Sequence, residues 1–159
     1  MRLVALNVGT PGPDTAAAVA AAILAAAPDV AVLAEVAKGE AARLLRDTLK
    51  EGGLAATVKG HLDPPAVPHT AVPHTVALAS RAAHAGVVLP FEGGPWAACA
   101  LEVTLDGIVV VGVRAPDGAS GDEFLAGGLG PYLAALADRP AIVLGTFGPG
   151  GVKVPGWVD

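Results

Sequence analysis

Leu101-Glu-Val-Thr-Leu-Asp-Gly-Ile-Val-Val-Val-Gly-Val-Arg-Ala-Pro116 is the stretch whose reading decides the fold. Two apolar runs of strand length flank Asp106-Gly107. A two-residue Asp-Gly link of this kind is a hairpin signal, because its tight turn demands positive φ, which glycine accepts without steric penalty. The runs are therefore expected to pair antiparallel, as strands over 96 to 105 and 108 to 115. Strand-like segments at 54 to 59, 76 to 82 and 86 to 90 come before them, so the middle of the chain reads as antiparallel β structure.

Toward the N-terminus the rhythm differs. Residues 2 to 8 are an apolar run short enough for a buried strand, and Gly9-Thr-Pro-Gly-Pro13 breaks the chain after it. Asp14 or Thr15 is expected to cap an Ala-rich helix that runs to about Ala27, where Pro28-Asp29 ends it. A second buried strand follows at 30 to 36, then a helix from about Gly39 to Glu51. Ala41, Leu44, Leu45, Thr48 and Leu49 form its expected apolar face, and Gly52-Gly53 stops it. On the C-terminal side a helix is predicted near Asp122 to Ala137 and a last strand at 140 to 145. Gly127-Gly128 and Gly130-Pro131 should break or delay that helix, so its firm part is expected to start near Pro131. Strand, helix, strand, helix, then antiparallel strands, is the pattern of a layered α/β fold.

Composition sets the outer limits. A chain of 159 residues has room for one domain with a substantial core, and 1–159 is read as a single domain. Hydrophobic residues make up 53% and charged residues 16%, which excludes a disordered or fibrous protein. No apolar run reaches the length needed to cross a bilayer, and no basic segment with an apolar stretch and a cleavage site opens the chain. The expectation is a soluble, cytoplasmic protein with no membrane partner. Cys99 is the single cysteine, which excludes an internal disulfide, and its apolar neighbours suggest a small buried hydrophobe. A net charge of −5 with ten scattered basic residues argues against a nucleic-acid partner, which needs clustered cations against phosphate. No other partner is indicated.

Ala66-Val-Pro-His-Thr70 is followed at once by the identical Ala71-Val-Pro-His-Thr75. The repeat is too short and isolated for a solenoid. With the heavy Ala use and an aromatic content of 4%, it fits a designed, computationally generated sequence as well as a natural one.

Five segments, in chain order, carry a resemblance. They are Arg2-Leu-Val-Ala-Leu-Asn-Val8, Pro28-Asp-Val-Ala-Val-Leu-Ala-Glu-Val36, Val76-Ala-Leu-Ala-Ser-Arg81, Ile108-Val-Val-Val-Gly-Val-Arg-Ala-Pro116 and Arg139-Pro-Ala-Ile-Val-Leu-Gly-Thr-Phe-Gly148. Each resembles a signature segment of the endonuclease/exonuclease/phosphatase superfamily, the deoxyribonuclease-I-like metal-dependent phosphodiesterases. The resemblance implies a truncated version of that family's α/β fold, with mostly antiparallel β-sheets packed as a sandwich and flanked by helices. Pattern and resemblance together place Leu3, Ala5, Val30, Val32, Leu33, Ala77, Leu78, Leu101, Val109, Val111, Ile142 and Leu144 in the core.

The resemblance also implies a site. An Asn ending the family's first strand and a Glu ending its second converge on phosphate and its divalent metal, and they match Asn7 and Glu35. A hard cation such as Mg²⁺ or Mn²⁺ wants carboxylate oxygen, and a neutral amide orients phosphate without repelling it. The plain alternatives are that Glu35 leaves a buried strand for solvent and that Asn7 caps a turn. Arg114 stands where the family has His; it can hold phosphate bidentately but cannot shuttle a proton at neutral pH. Where the family has Gly-Asp-x-Asn this chain has Gly145-Thr146-Phe147-Gly148, and the family's closing Ser-Asp-His segment has no equivalent in residues 1–159. Ser80-Arg81 also match, and are read as structural at a strand end. A catalytically inactive or severely impaired scaffold is the leading expectation. The alternative is a metal-dependent phosphoesterase with a reduced site built on Asn7, Glu35 and Arg114.

A second constellation owes nothing to the resemblance. His61, Asp63, His69 and His74 fall in a Pro-rich loop, with His84 beyond the next strand. Imidazoles and a carboxylate suit Zn²⁺, so His61, His69 and His74 are the candidate ligands, against solvent-exposed loop histidines as the plain alternative. The Gly-rich stretches are turns rather than phosphate loops, because none leads into a Lys-Ser/Thr helix start, and no Gly-x-Ser-x-Gly elbow appears.

Overall fold

The structure, a computed structural model, describes residues 1–9, 11–37, 39–54, 58–59, 74–81, 87–88, 90–91, 96 and 99–147. In chain order the elements are β1 (Leu3–Asn7), α1 (Pro13–Ala25), β2 (Val30–Ala37), α2 (Glu40–Glu51), β3 (Val58–Lys59), β4 (His74–Ser80), β5 (Val87–Val88), β6 (Ala100–Leu105) and β7 (Ile108–Arg114). They continue with α3 (Ala119–Glu123), a π-helical turn (Phe124–Leu129), α4 (Gly130–Ala135) and β8 (Ala141–Thr146).

The Asp-Gly hairpin forms as its chemistry requires. Asp106 has φ 51° and Gly107 φ 79°, the doubly positive turn that matches strand twist. Leu105 pairs with Ile108, and the antiparallel ladder continues to Ala100 opposite Val113. The predicted strand at 96 to 105 is shorter than expected, since Trp96 and Cys99 lie in turns. The amide of Cys99 donates to the Trp96 carbonyl at 2.8 Å.

Two four-stranded sheets result, ordered β1-β2-β4-β3 and β5-β6-β7-β8. Each has one parallel pair, β1 with β2 and β7 with β8, and its remaining pairs are antiparallel. The sheets pack face to face through Val30, Val32, Val76 and Leu78 of one and Leu101, Val103 and Val110 of the other. Strand alternation sends the opposite set of side chains outward. Ala31, Leu33, Ala77 and Ala79 meet α1 and α2 on one outer face. Val109, Val111 and Val113 meet Phe124, Leu125 and Leu129 on the other. The architecture is the expected helix-flanked sandwich.

Several local expectations are corrected. Asp14 and Thr15 do not cap α1; Gly12 is the N-cap, Pro13 opens the helix, and Asp14 sits in its first turn, where a carboxylate suits the helix dipole. The buried stripe of α2 is Ala42, Leu45 and Leu49, and Leu44, placed on the apolar face from sequence, is 37% exposed. Gly127-Gly128 does not break the last helix. The helical path runs from Ala119 to Ala135 and widens into π geometry across the glycine pair. A Cβ on Gly128 would come within 2.9 Å of the Trp96 ring, so the glycine lets the helix approach that aromatic side chain. Trp96 and Phe91 in turn pack edge-on against Phe124, with ring centroids 6.2 and 5.6 Å from it.

Most predicted core positions are buried: Val30, Val32, Leu33, Ala77, Leu78, Leu101, Val109 and Val111. Four are not. Leu3, Ile142 and Leu144 are only partly buried and Ala5 is exposed, and all four lie on β1 or β8. These are the end strands of the two sheets, so each lacks a neighbour on one side among the described residues.

Candidate functional site

Asn7 is the last residue of β1, in phase with Leu3 and Ala5, and its backbone is the register partner of Ala34 in β2. The next residue of β2 is Glu35, two residues before the strand ends at Ala37, so parallel pairing brings the two predicted residues to neighbouring positions on adjacent strands. The amide of Val8 donates to the Ala34 carbonyl at 2.9 Å and carries this pairing past Asn7. Asn7 Oδ1 accepts from the Gly9 amide at 3.1 Å. This local turn is the plain role considered for Asn7, and Gly9, with φ 63°, adopts the left-handed backbone that follows it.

Glu35 does not simply leave the strand. The pairing of β2 with β4 shifts between Leu33 and Val36: Leu33 faces Ala77 while Val36 faces Thr75. Three residues on β2 thus advance against two on β4, which defines a β-bulge. Glu35 sits within it at φ 61° and is half-buried. A left-handed backbone costs a non-glycine residue roughly 1–2 kcal/mol. The sequence held a signal only for the Glu at the strand end; the bulge arises from cross-strand register.

In the second sheet, Arg114 ends β7 and is the register partner of Thr146 at the end of β8. Arg114 is in phase with Val110 and Gly112, the inward-facing positions of its strand. Its side chain is 12% exposed, and its guanidinium lies 3.7 Å from the carboxylate of Asp117, which is 73% exposed. Among the described residues its buried Nε has no hydrogen-bond partner. Its backbone amide donates to the Cys99 carbonyl at 2.8 Å. Burial pushes the Cys99 thiol up to about 11, against a smaller opposing pull from the Arg114 charge. Cys99 is therefore a protonated thiol at neutral pH rather than a nucleophile.

Gly145 has φ 148°, and a Cβ there would collide with the Val113 carbonyl, so only glycine fits before Thr146.

Ser80-Arg81 lie elsewhere. Ser80 pairs with Val30, at the start of β2 and opposite to the end that carries Glu35. Ser80 is fully buried. Arg81 Nε donates to the Pro28 carbonyl at 2.8 Å, and the Arg81 amide donates to the Asp29 carbonyl at 2.9 Å. These contacts tie β4 to the turn after α1, which is the structural role read for them.

Of the histidines, His61, His69 and His84, with Asp63, lie outside the described residues. His74 opens β4, where its backbone is the register partner of Ala37, two residues past Glu35. Among the described residues, no three His, Cys, Asp or Glu side chains gather as a metal site. None of the described helices is long and apolar enough to cross a membrane.

No protein-family model and no curated protein matches the chain. Solved structures do. An AP endonuclease from Archaeoglobus fulgidus matches with TM-score 0.68 at 15% identity, over 92% of this chain and 57% of its own. An endonuclease/exonuclease/phosphatase from Beutenbergia cavernae matches with TM-score 0.58 at 25% identity, over 97% of this chain and 49% of its own. TDP2 from C. elegans matches with TM-score 0.58 at 16% identity, over 91% of this chain and 47% of its own. The chain thus spans about half the length of the solved proteins it matches. Paired sheets with helices on both outer faces, together with this likeness, show that the chain has the endonuclease/exonuclease/phosphatase, deoxyribonuclease-I-like, fold over that shared length.

Proposed function

We propose that the chain is a hydrolase-like scaffold whose phosphodiesterase site is inactive or severely impaired. The observation that carries this reading is the pairing of Arg114 with Thr146 at the ends of β7 and β8. Hydrolysis of a phosphodiester needs a base to activate water and carboxylates to hold the divalent metal. At these two strand ends the chain offers a permanently protonated guanidinium and a neutral hydroxyl. General-base activation contributes on the order of 10²- to 10⁴-fold, and metal and electrostatic clamps supply much of the remainder. Among the described residues Glu35 supplies the carboxylate near the end of β2, the Asp117 carboxylate is paired with Arg114, and Asn7 Oδ1 accepts from the Gly9 amide.

The assay that tests this is hydrolysis of nucleic acid and of bis(4-nitrophenyl) phosphate with Mg²⁺ or Mn²⁺. The expected result is no turnover above background. Robust turnover that disappears in Glu35→Gln overturns the proposal.

A second reading, a metal-dependent phosphoesterase with a reduced site, is favoured by Glu35 itself. Bulged residues held in left-handed backbone concentrate where a side chain must be aimed, and Glu35 is one such residue. In that reading Glu35 would hold Mg²⁺ or Mn²⁺, while Asn7 and Arg114 would orient phosphate. Metal titration of the wild type beside Glu35→Gln separates the two readings.

A further inference from the structure

Two arginines of the chain show how a guanidinium is satisfied here. Arg46 Nε donates to Asp47 Oδ1 at 2.8 Å, and Arg81 Nε donates to the Pro28 carbonyl at 2.8 Å. Arg114 is more deeply placed than Arg46, with 12% of its side chain exposed against 36%. Its Nε is buried, yet has no hydrogen-bond partner among the described residues. Its ion pair with Asp117 spans 3.7 Å from Nη2 to Oδ2, beyond hydrogen-bond length. A buried guanidinium is stable when acceptors meet its N–H donors, and a carboxylate at that distance does not meet them.

Arg114 and Thr146 are register partners on parallel strands, so they stand on the same face of their sheet. That face is the inner one. Val110, in phase with Arg114, lies in the core between the sheets, and Leu144, in phase with Thr146, packs against it. A guanidinium and a hydroxyl thus end neighbouring strands on one face. Asp117 reaches Arg114 from outside: it is 73% exposed and lies in the turn that Gly118, at φ 63°, leads into α3. An ion pair with one exposed partner is weak, because solvent screens it and the side chain loses freedom in forming it. Asp117 is therefore a carboxylate that another anion can displace.

Taking the site as one that does not hydrolyse what it holds, as proposed above, we infer that Asp117 is a built-in counter-anion that occupies Arg114 in the free chain, and that the ligand which displaces it is a terminal phosphate dianion. A diester carries one negative charge, no more than Asp117 itself, and Asp117 has the advantage of being tethered to the site. A phosphate monoester carries nearly two at pH 7.5, so its attraction to the same guanidinium is about twice as large. Asp117 lowers the apparent affinity for either ligand by the fraction of chains in which Arg114 is open, so it sets a threshold that the dianion clears and the monoanion does not.

Calorimetric titration with phenyl phosphate and with dimethyl phosphate, at low salt and with a chelator present, tests this. The wild type should bind phenyl phosphate more tightly than dimethyl phosphate, and Arg114→Met should lose the binding. Asp117→Asn should raise the affinity for phenyl phosphate by about two- to fivefold, the worth of a solvent-exposed ion pair. Asp47→Asn changes the net charge equally at the exposed Arg46–Asp47 pair and should leave the affinity unchanged. In the wild type, the Arg114 Nε–H resonance should move on addition of phenyl phosphate, a measurement that stands even if Arg114→Met fails to fold. No phosphate binding, equal affinity for the two esters, equal effects of the two Asn variants, or an unmoved Arg114 resonance each overturns the inference while leaving the absence of turnover intact. Hydrolysis of a bound ester would instead overturn the impaired-site proposal.

Discussion

Gly112 of β7 lies directly against Val32 of β2: a Cβ on Gly112 would stand 2.9 Å from Val32 Cγ1 and 3.2 Å from Cγ2. The two sheets come this close because one of the facing positions has no side chain. Any larger residue at 112 must push the sheets apart or distort Val32, since a packed core has few voids to absorb the volume. Gly112→Val is expected to destabilise by about 1–3 kcal/mol, the usual range for overpacking. Equilibrium urea unfolding measures it, and an unchanged midpoint would mean the sheets do not meet here.

Leu33 lies on the other face of β2, 2% exposed against the helices. Leu33→Ala removes that contact and leaves a cavity, so a loss of about 2–5 kcal/mol is expected. Less than about 0.5 kcal/mol in the same denaturation experiment would remove this strand from the core.

Glu35 gives a prediction of the opposite sign. At φ 61° it occupies backbone that glycine adopts freely. Glu35→Gly should therefore be neutral or stabilise by up to about 1 kcal/mol, whereas Glu35→Ala, which retains a Cβ, should not. Equal effects of Gly and Ala on the melting temperature would show that the bulge carries no strain.

Arg114 is expected to add little to stability. Its Nε is buried with no partner among the described residues, and its nearest carboxylate belongs to the exposed Asp117. Replacing a poorly satisfied buried charge with an apolar side chain of similar length is often neutral or better. Arg114→Met should change the unfolding free energy by less than about 1 kcal/mol in either direction or raise it. A loss well above that would assign Arg114 a structural role and weaken the case for an anion-holding one.

Cys99 has a pH signature. Its thiol is pushed up to about 11 from an ordinary 9.0, chiefly by burial. The unfolded thiol ionises first, so between about 9 and 11 the unfolded state binds fewer protons and Cys99 lowers stability as pH rises. Cys99→Ala should flatten the pH dependence of the melting temperature in that window. In the wild type, alkylation by iodoacetamide should be slow at pH 7.5 and accelerate with pH as the thiolate forms. Rapid labelling at neutral pH would contradict the burial.

Apolar runs and turn chemistry in the sequence were enough to specify the hairpin at Asp106-Gly107 and the two N-terminal βα units. These features depend on neighbours in the chain: a turn type needs its own two residues, and a strand or helix needs the residues of its own run. The resemblance added Asn7 and Glu35 as candidate neighbours, and the parallel register pairs Asn7 with Ala34, one residue before Glu35. Other features needed the tertiary structure because they depend on contacts between distant segments. The bulge that turns Glu35 to φ 61° comes from the register of β2 against β4. The glycine pair at 127 and 128 read as a helix break, yet it admits Trp96 against an unbroken helical path. Leu3, Ala5, Ile142 and Leu144 have the hydrophobicity of core residues. Hydrophobicity reports what a side chain avoids, whereas the strand order that leaves β1 and β8 at the sheet edges decides whether anything covers it.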